Sequence, residues 1–160
     1  MSKLLNKKTV KNIEKFLNQV DEKSSIIELK ETARSSKDAA NSLNVPIGAI
    51  VKSIIVKSFN NEYYICLVSG NKKISMQKLS MIIKVNISKA NADEIKRVTG
   101  YSIGGVPPFA HIYELPTYID FNLKNYKNIY AAAGHPHCIF KTNFEKIVKF
   151  TKGYVCDFTD

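Results

Sequence analysis

Val10, Ile13, Phe16, Leu17 and Val20 recur at the spacing of one helix face, which predicts an amphipathic helix over residues 9–20 with its stripe in the core. An isoleucine-rich stretch at 25–29 reads as a short strand. Residues 35–43 read as a second helix, capped by Ser35 or Ser36, with Asp38 in its first turn and Asn44 near its end. β-Branched runs at 51–59 and 62–69 flank Asn60-Asn61, a pair that accepts positive φ, so they predict a hairpin. Helices are expected over 75–83 and 91–98, the latter with Asp93 and Glu94 early and Lys96 and Arg97 late, matching the helix dipole. Gly100, Gly104, Gly105, Pro107, Pro108 and Pro116 then concentrate turn formers in one loop region. Strands are expected over 117–120, 129–133, 137–141 and 154–158, with a helix over 143–150 between the last two. Short strands mixed with helices, without regular alternation, indicate a mixed α/β fold with a curled, barrel-like sheet surrounded by helices.

The length of 160 residues and the 44% hydrophobic content suit one domain, 1–160, that buries most of its apolar surface. No apolar run reaches the length of a membrane span, and the start, MSKLLNKKTVKNIEKF, is charged throughout and unlike a signal peptide. A cytoplasmic protein with no membrane partner is expected. Cys66, Cys138 and Cys156 are scattered and odd in number, without CxxC spacing, so they read as small buried apolar residues rather than as a disulfide framework or zinc site. The formal charge of +10, from 24 Lys and Arg against 14 Asp and Glu, favours a polyanionic partner through counterion release. A lysine-rich surface that serves only solubility gives the same count.

HExxH, GxSxG, GxxxxGK[ST] and GxGxxG are all absent, so zinc-peptidase, α/β-hydrolase, P-loop and Rossmann chemistry lack their parts. His111, His135 and His137 carry no recognised metal-ligand spacing, and no metal or other cofactor is expected. Two features remain. Strand alternation puts Lys52 on one face with Ile54 and Val56, and Val51, Ser53 and Ile55 on the other, so both faces are largely apolar. Lys52 is then either a snorkelling edge residue or an ammonium at a cavity mouth, able to bind phosphate or stabilise developing negative charge. Gly104-Gly105-Val106-Pro107-Pro108-Phe109 combines glycines that let backbone approach a ligand with prolines that stiffen the loop. The same residues also build plain structural turns.

The segments 32–40 (Thr-Ala-Arg-Ser-Ser-Lys-Asp-Ala-Ala) and 45–53 (Val-Pro-Ile-Gly-Ala-Ile-Val-Lys-Ser) are followed by 100–109, with its Gly-x-x-x-Pro loop, and by Ala131-Ala132-Ala133-Gly134. In this order they resemble the YbaK/ProX family, free-standing relatives of the editing domain inserted in bacterial prolyl-tRNA synthetase. The resemblance covers nearly the whole chain. It implies a metal-independent aminoacyl-tRNA deacylase acting in trans on the ester of a mischarged tRNA. Mischarged aminoacyl-tRNA is then the partner, prolyl-tRNA synthetase a candidate one, and DNA is not expected. The family's functional lysine falls on Lys52, which would contact the terminal adenosine or its phosphate, and its Gly-x-x-x-Pro loop falls on Gly104, Gly105, Val106, Pro107 and Pro108, whose backbone would hold the ester. The attacking water would be positioned largely by the substrate, with help from the terminal ribose hydroxyl.

Ala132-Ala133-Gly134 stands where the cysteinyl-tRNA deacylase branch has Ser-Ala-Gly, so the hydroxyl of that branch is missing. The Gly-Gly-Val-Pro-Pro-Phe form at 104–109 and the Ala-Gly-His-Pro-His stretch at 133–137 resemble other trans-editing branches, some of which act on a small amino acid attached to tRNA for proline, and an alanine-lined pocket discriminates mainly by size. His137, expected on the strand after Gly134, and Ser53, beside the lysine, complete the candidate substrate contacts. A non-catalytic tRNA-binding or regulatory module on the same fold, or a purely electrostatic nucleic-acid binder, would share the basic surface without needing both Lys52 and the loop.

Overall fold

In the computed structural model, residues 3–30 and 35–160 are described, so Thr32, Ala33 and Arg34 of the first family-like segment lie outside the described residues. The chain runs α1 (Lys8–Val20), β1 (Ile26–Glu28), α2 (Ser36–Leu43), β2 (Val51–Ser58), β3 (Tyr63–Ser69), α3 (Met76–Ile83), β4 (Ile87–Lys89) and α4 (Ala92–Thr99). After the loop come β5 (Thr117–Asp120), β6 (Ile129–His135), β7 (Cys138–Thr142), α5 (Phe144–Thr151) and β8 (Tyr154–Cys156). Side-chain caps start most of the helices: Ser35 accepts from the N–H of Asp38, Ser75 from Lys78 and Asn143 from Lys146. Asn44 and Gly100 take left-handed angles and end α2 and α4.

The strands form two sheets. One has the order β1-β7-β6, all antiparallel; the other has the order β4-β2-β3-β5-β8, with β5 and β8 added in parallel. Ile50, just before β2, pairs with Tyr130 of β6 in a lone parallel bridge, so the two sheets curl toward each other without closing a barrel. Period-two alternation sorts the hairpin into two cores. Val51, Ile55, Ile65 and Leu67 face the large core between the sheets, where they join Val10, Ile13 and Leu17 of α1 and Phe140 of β7. Val56, Cys66 and Val68 face a second cluster under α3. A third, smaller cluster holds Ala39 and Ala40 of α2 against Ile50 and Ile139.

The departures from the expected elements have local causes. β4 is three residues long, too short to show a period, and exists because Ser58, Lys57 and Val56 of β2 offer it an edge. His137 is not on a strand. Gly134 takes φ 90° and the register shifts between Ala132 and His135, which prolongs β6 to His135 and leaves Pro136-His137 as the turn into β7. Cys66 and Cys138 are buried as expected, whereas Cys156, near the end of the edge strand β8, is partly exposed.

Glu94 staples α4 to the hairpin. It closes a capping box with Asn91, and its other oxygen accepts from the Lys57 ammonium and the Tyr63 hydroxyl, each at 2.7 Å. The Asn91 N–H first, then Lys57 and Tyr63, hold its pKa down to about 2. Because the folded pKa is depressed, this stabilisation is complete above the unfolded carboxylate value of about 4.3 and is lost as pH falls through about 2. Glu94→Gln should therefore melt below the parent near neutral pH, with the gap narrowing at about pH 3. Equal gaps at the two pH values in thermal melts would show that the charge contributes nothing.

Candidate functional site

A cavity of about 260 Å³ opens where the two sheets meet. Four pieces of chain build its described walls. The start of β2 supplies Ile50, Val51, Lys52 and Ser53; the first turn of α2 and its cap supply Ser35, Ser36 and Ala39. The glycine-rich loop supplies Gly104 and Val106, while β6 and its turn supply Tyr130, Ala131, Ala132 and Pro136, with Ile139 beyond. The walls are therefore mostly apolar, and among the described residues they contain no carboxylate, imidazole or thiol except as neighbours behind them.

The Lys52 ammonium donates to the carbonyl of Lys72, in the turn after β3. Burial, and then the positive charge of Lys89, hold its pKa below the usual lysine value; Asp120 opposes this and Lys73 adds to it. Asp120 is itself fully buried, and its two oxygens are occupied by the N–H of Ser69 and by the N–H and side-chain amide of Asn122. Since Ser69 Oγ in turn donates to the carbonyl of Gly48 at 2.6 Å, this network fixes the end of β3 and the turn that leads into β2. Ser53 is on the other face of the strand. Its hydroxyl oxygen is buried and has no hydrogen-bond partner among the described residues, a cost of about 1–3 kcal/mol wherever it is not offset.

Within the loop the two glycines have different surroundings. Gly104 is exposed at the cavity with φ 88°, and a Cβ there would meet Pro136 at 3.2 Å. Gly105 is buried against β6: a Cβ there would lie 2.9 Å from both N and Cα of His135. Its N–H donates to the carbonyl of Ser102 and its carbonyl accepts from the N–H of Gly134, each at 3.0 Å. Among the described residues no such bond uses the N–H of Gly104 or Val106. The loop thus keeps two donors beside the cavity, and they are not the one on Gly105.

Of the residues singled out from the sequence, Lys52, Ser53, Gly104, Val106 and Ala132 line one cavity. The others stand behind it. Pro107 and Pro108 are buried, and the Pro107 carbonyl accepts from Nε2 of His111 at 2.7 Å. Ala133 is fully buried in the large core, and Gly134 is packed under α1, where a Cβ would come within 2.5 Å of the Thr9 carbonyl. His137 is held by the turn: its N–H donates to Nδ1 of His135, and its carbonyl accepts from Leu29. The His135 and His137 rings meet edge to face, and among the described residues no group of three or more His, Cys, Asp or Glu side chains is placed to hold a metal ion. Burial, with the charge of Lys7, lowers the pKa of His135. Tyr130, Pro136 and Ile139 reach the cavity although nothing in their spacing announced it. Tyr130 could have been suspected as the one polar ring on a strand face shared with Ala132.

A family model for the aminoacyl-tRNA editing domain matches residues 30–150. In three dimensions the chain is similar to the crystal structure of a candidate trans-editing enzyme for prolyl-tRNA synthetase, with a TM-score of 0.90 and 28% identity, covering 96% of this chain and 98% of that one. It is 33% identical over 101 residues to a proline–tRNA ligase of a Sulfurihydrogenibium species, a match that covers 62% of this chain and 17% of the ligase. It is 23% identical to EbsC of Enterococcus faecalis, a candidate Cys-tRNA(Pro)/Cys-tRNA(Cys) deacylase, over 78% of this chain and 77% of EbsC. The chain belongs to the aminoacyl-tRNA editing domain family. No helix among the described residues is long and apolar enough to cross a membrane.

The two loop glycines should respond differently to a methyl group. Gly105→Ala forces backbone apart at His135 and should destabilise the protein by about 1–3 kcal/mol, seen as a lower Tm. Gly104→Ala meets only a proline edge and pays for its left-handed angle, about 1 kcal/mol. A Gly105→Ala protein as stable as the parent would show that the loop does not rest on β6 in solution.

Proposed function

We propose that this editing-domain protein hydrolyses, in trans, the ester of a mischarged tRNA, acting on a small amino acid attached to tRNA for proline and serving translation quality control. The observation that carries the reading is the cavity itself, which joins Lys52, Ser53, Gly104, Val106 and Ala132 from distant parts of the chain around about 260 Å³. That volume falls below the roughly 300–1,000 Å³ of pockets that enclose whole drug-sized ligands, and it suits the acyl end of a much larger molecule. Apolar walls at Ala39, Ala132 and Ile139 admit a small side chain and discriminate by size.

Hydrolysis needs water to add to the ester carbonyl, the carbon–oxygen bond to break, and the departing ribose oxygen to receive a proton. In the proposed reaction the proton is relayed by the substrate, whose vicinal ribose hydroxyl lies beside the ester, and Lys52 is the one charged side chain among the described wall residues. The chain's part is to position and to stabilise charge. The N–H groups of Gly104 and Val106, unused among the described residues, are the proposed donors to the developing oxyanion, and the Ser53 hydroxyl, unpartnered among the described residues, is the proposed acceptor for the α-amino group. The Lys52 ammonium, held at the Lys72 carbonyl on the outer side of the strand, suits the terminal adenosine or its phosphate better than the carbonyl. Gly105, Pro107, Pro108, Ala133, Gly134 and His137 support this arrangement from behind. The mechanism requires no metal ion, and prolyl-tRNA synthetase is the natural source of the mischarged tRNA.

The test is a deacylation panel of tRNAs for proline carrying different small amino acids. The parent protein should hydrolyse at least one of them, and should do so equally well in a strong chelator. Lys52→Ala should remain folded and lose at least about tenfold in kcat/KM, equivalent to roughly 1.4 kcal/mol of transition-state stabilisation. Ser53→Ala removes an unpaired buried hydroxyl, so it should hold or raise the Tm while lowering turnover. A folded parent that binds tRNA but hydrolyses none of the panel would leave a non-catalytic tRNA-binding module as the reading.

A further inference from the structure

Lys89 lies on β4 opposite Val56 of β2, and cross-strand partners project to one face of a sheet. Lys52 is on that same face of β2, since it alternates with Ile54 and Val56. Lys73 follows the residue whose carbonyl holds the Lys52 ammonium. Three cations from three segments thus share one side of the sheet beside the cavity mouth. Their charges are not balanced. Among the described residues neither Lys73 nor Lys89 takes part in an ion pair, whereas Lys57, on the opposite face of β2, is paired with Glu94. The acid whose charge acts on Lys52, Asp120, has its oxygens occupied by Ser69 and Asn122. The backbone N–H of the tail residue Asp160 donates to the Lys73 carbonyl, and among the described residues the Asp160 carboxylate forms no ion pair with Lys73. Both free lysines are exposed, and mutual repulsion with Lys52 is felt strongly enough to help lower the pKa of Lys52.

We infer that Lys73 and Lys89, together with Lys52, form a phosphate-binding strip that takes the sugar–phosphate backbone of the RNA as it leaves the cavity, and so decides which side of the protein the body of the tRNA lies on. An uncompensated row of cations costs folding free energy, and a polyanion that enters with its own condensed counterions relieves that cost on binding. Lysine suits the task because phosphates along an RNA strand are met as point charges at variable angles, without the bidentate geometry that arginine serves. Helices α1 and α5, which pack their buried faces into the large core, also carry exposed lysines such as Lys15 and Lys149, and neither of these lines the cavity. The inference rests on the proposed tRNA substrate, although its test needs only binding.

The experiment measures the affinity of uncharged tRNA for the full chain as a function of salt concentration. Lys73→Ala/Lys89→Ala should weaken binding about tenfold at low salt and make the slope of log K against log salt shallower by roughly 1.4–1.8, the contribution of two phosphate contacts. Lys73→Arg/Lys89→Arg should keep the parental slope. Lys15→Ala/Lys149→Ala, the far pair, on α1 and α5, should change neither quantity. Equal losses in the near and far pairs would mean a diffuse charge effect, and an unchanged slope in the near pair, or a parent that does not bind tRNA, would likewise overturn the strip. With deacylation measured in parallel, the strip variant should raise KM while leaving kcat near the parental value. A parent that binds tRNA through the strip yet deacylates nothing removes the proposed reaction and leaves the strip standing.

Discussion

Three stretches of backbone are stacked on one another with no side chain between them. The first turn of α1 presents the Thr9 carbonyl to Gly134, and Gly134 donates its N–H to the carbonyl of Gly105. A single Cβ at either glycine would come within 3 Å of main-chain atoms, so this contact exists only with glycine at both places. Everything at the site depends on it. It presses the loop onto β6, brings Gly104 and Val106 to the cavity with N–H groups that no bond among the described residues uses, and bends β6 into the bulge that turns Pro136 toward the same space. The large core beneath, with Phe16 stacked on Phe109 at 4.2 Å, holds α1 and the end of the loop in the position the stack requires.

The second determinant is how β2 divides its side chains. One face enters the large core and offers Ser53 to the cavity; the other carries Lys52 out toward Lys72 and the unpaired lysines. In the proposed function, the pocket for the aminoacyl group and the surface for phosphates are the two sides of one strand. For a substrate whose acyl group sits at the end of a polyanion, that is an economical layout, because the reacting bond lies at the boundary between the two. The strand is held there by the Asp120, Ser69 and Gly48 hydrogen bonds at one end and by the bridge from Ile50 to Tyr130 at the cavity.

Much of this was legible in the sequence, for identifiable reasons. Helix caps and the Asn60-Asn61 turn are local chemistry, and Ser35, Ser75, Asn91, Asn143 and Asn61, with its φ of 60°, do what their types favour. Alternation along β2 separated Lys52 from Ser53 correctly, because period two is a property of any strand. The division of labour between Gly104 and Gly105 was not legible, since it depends on what lies opposite each of them 30 residues further along the chain. His137 was misplaced onto a strand for a similar reason: the bulge after Ala132 is set by Gly134 packing under α1, a contact that no local pattern encodes. The polar wall of Tyr130 and the pairing of β4 also come from tertiary contacts alone.

The central claim is that the acyl end of a charged tRNA enters this cavity while its phosphates remain outside on the lysine side. A crystal structure with a non-hydrolysable 3′-aminoacylamido analogue of the tRNA terminus tests it most directly. The acyl group is expected between Ser53 and Ala132, with its carbonyl oxygen within hydrogen-bond reach of the Gly104 and Val106 N–H groups and the terminal phosphate toward Lys52. An analogue bound with its acyl group in solvent, or seated away from β2 and the Gly104 loop, would contradict it.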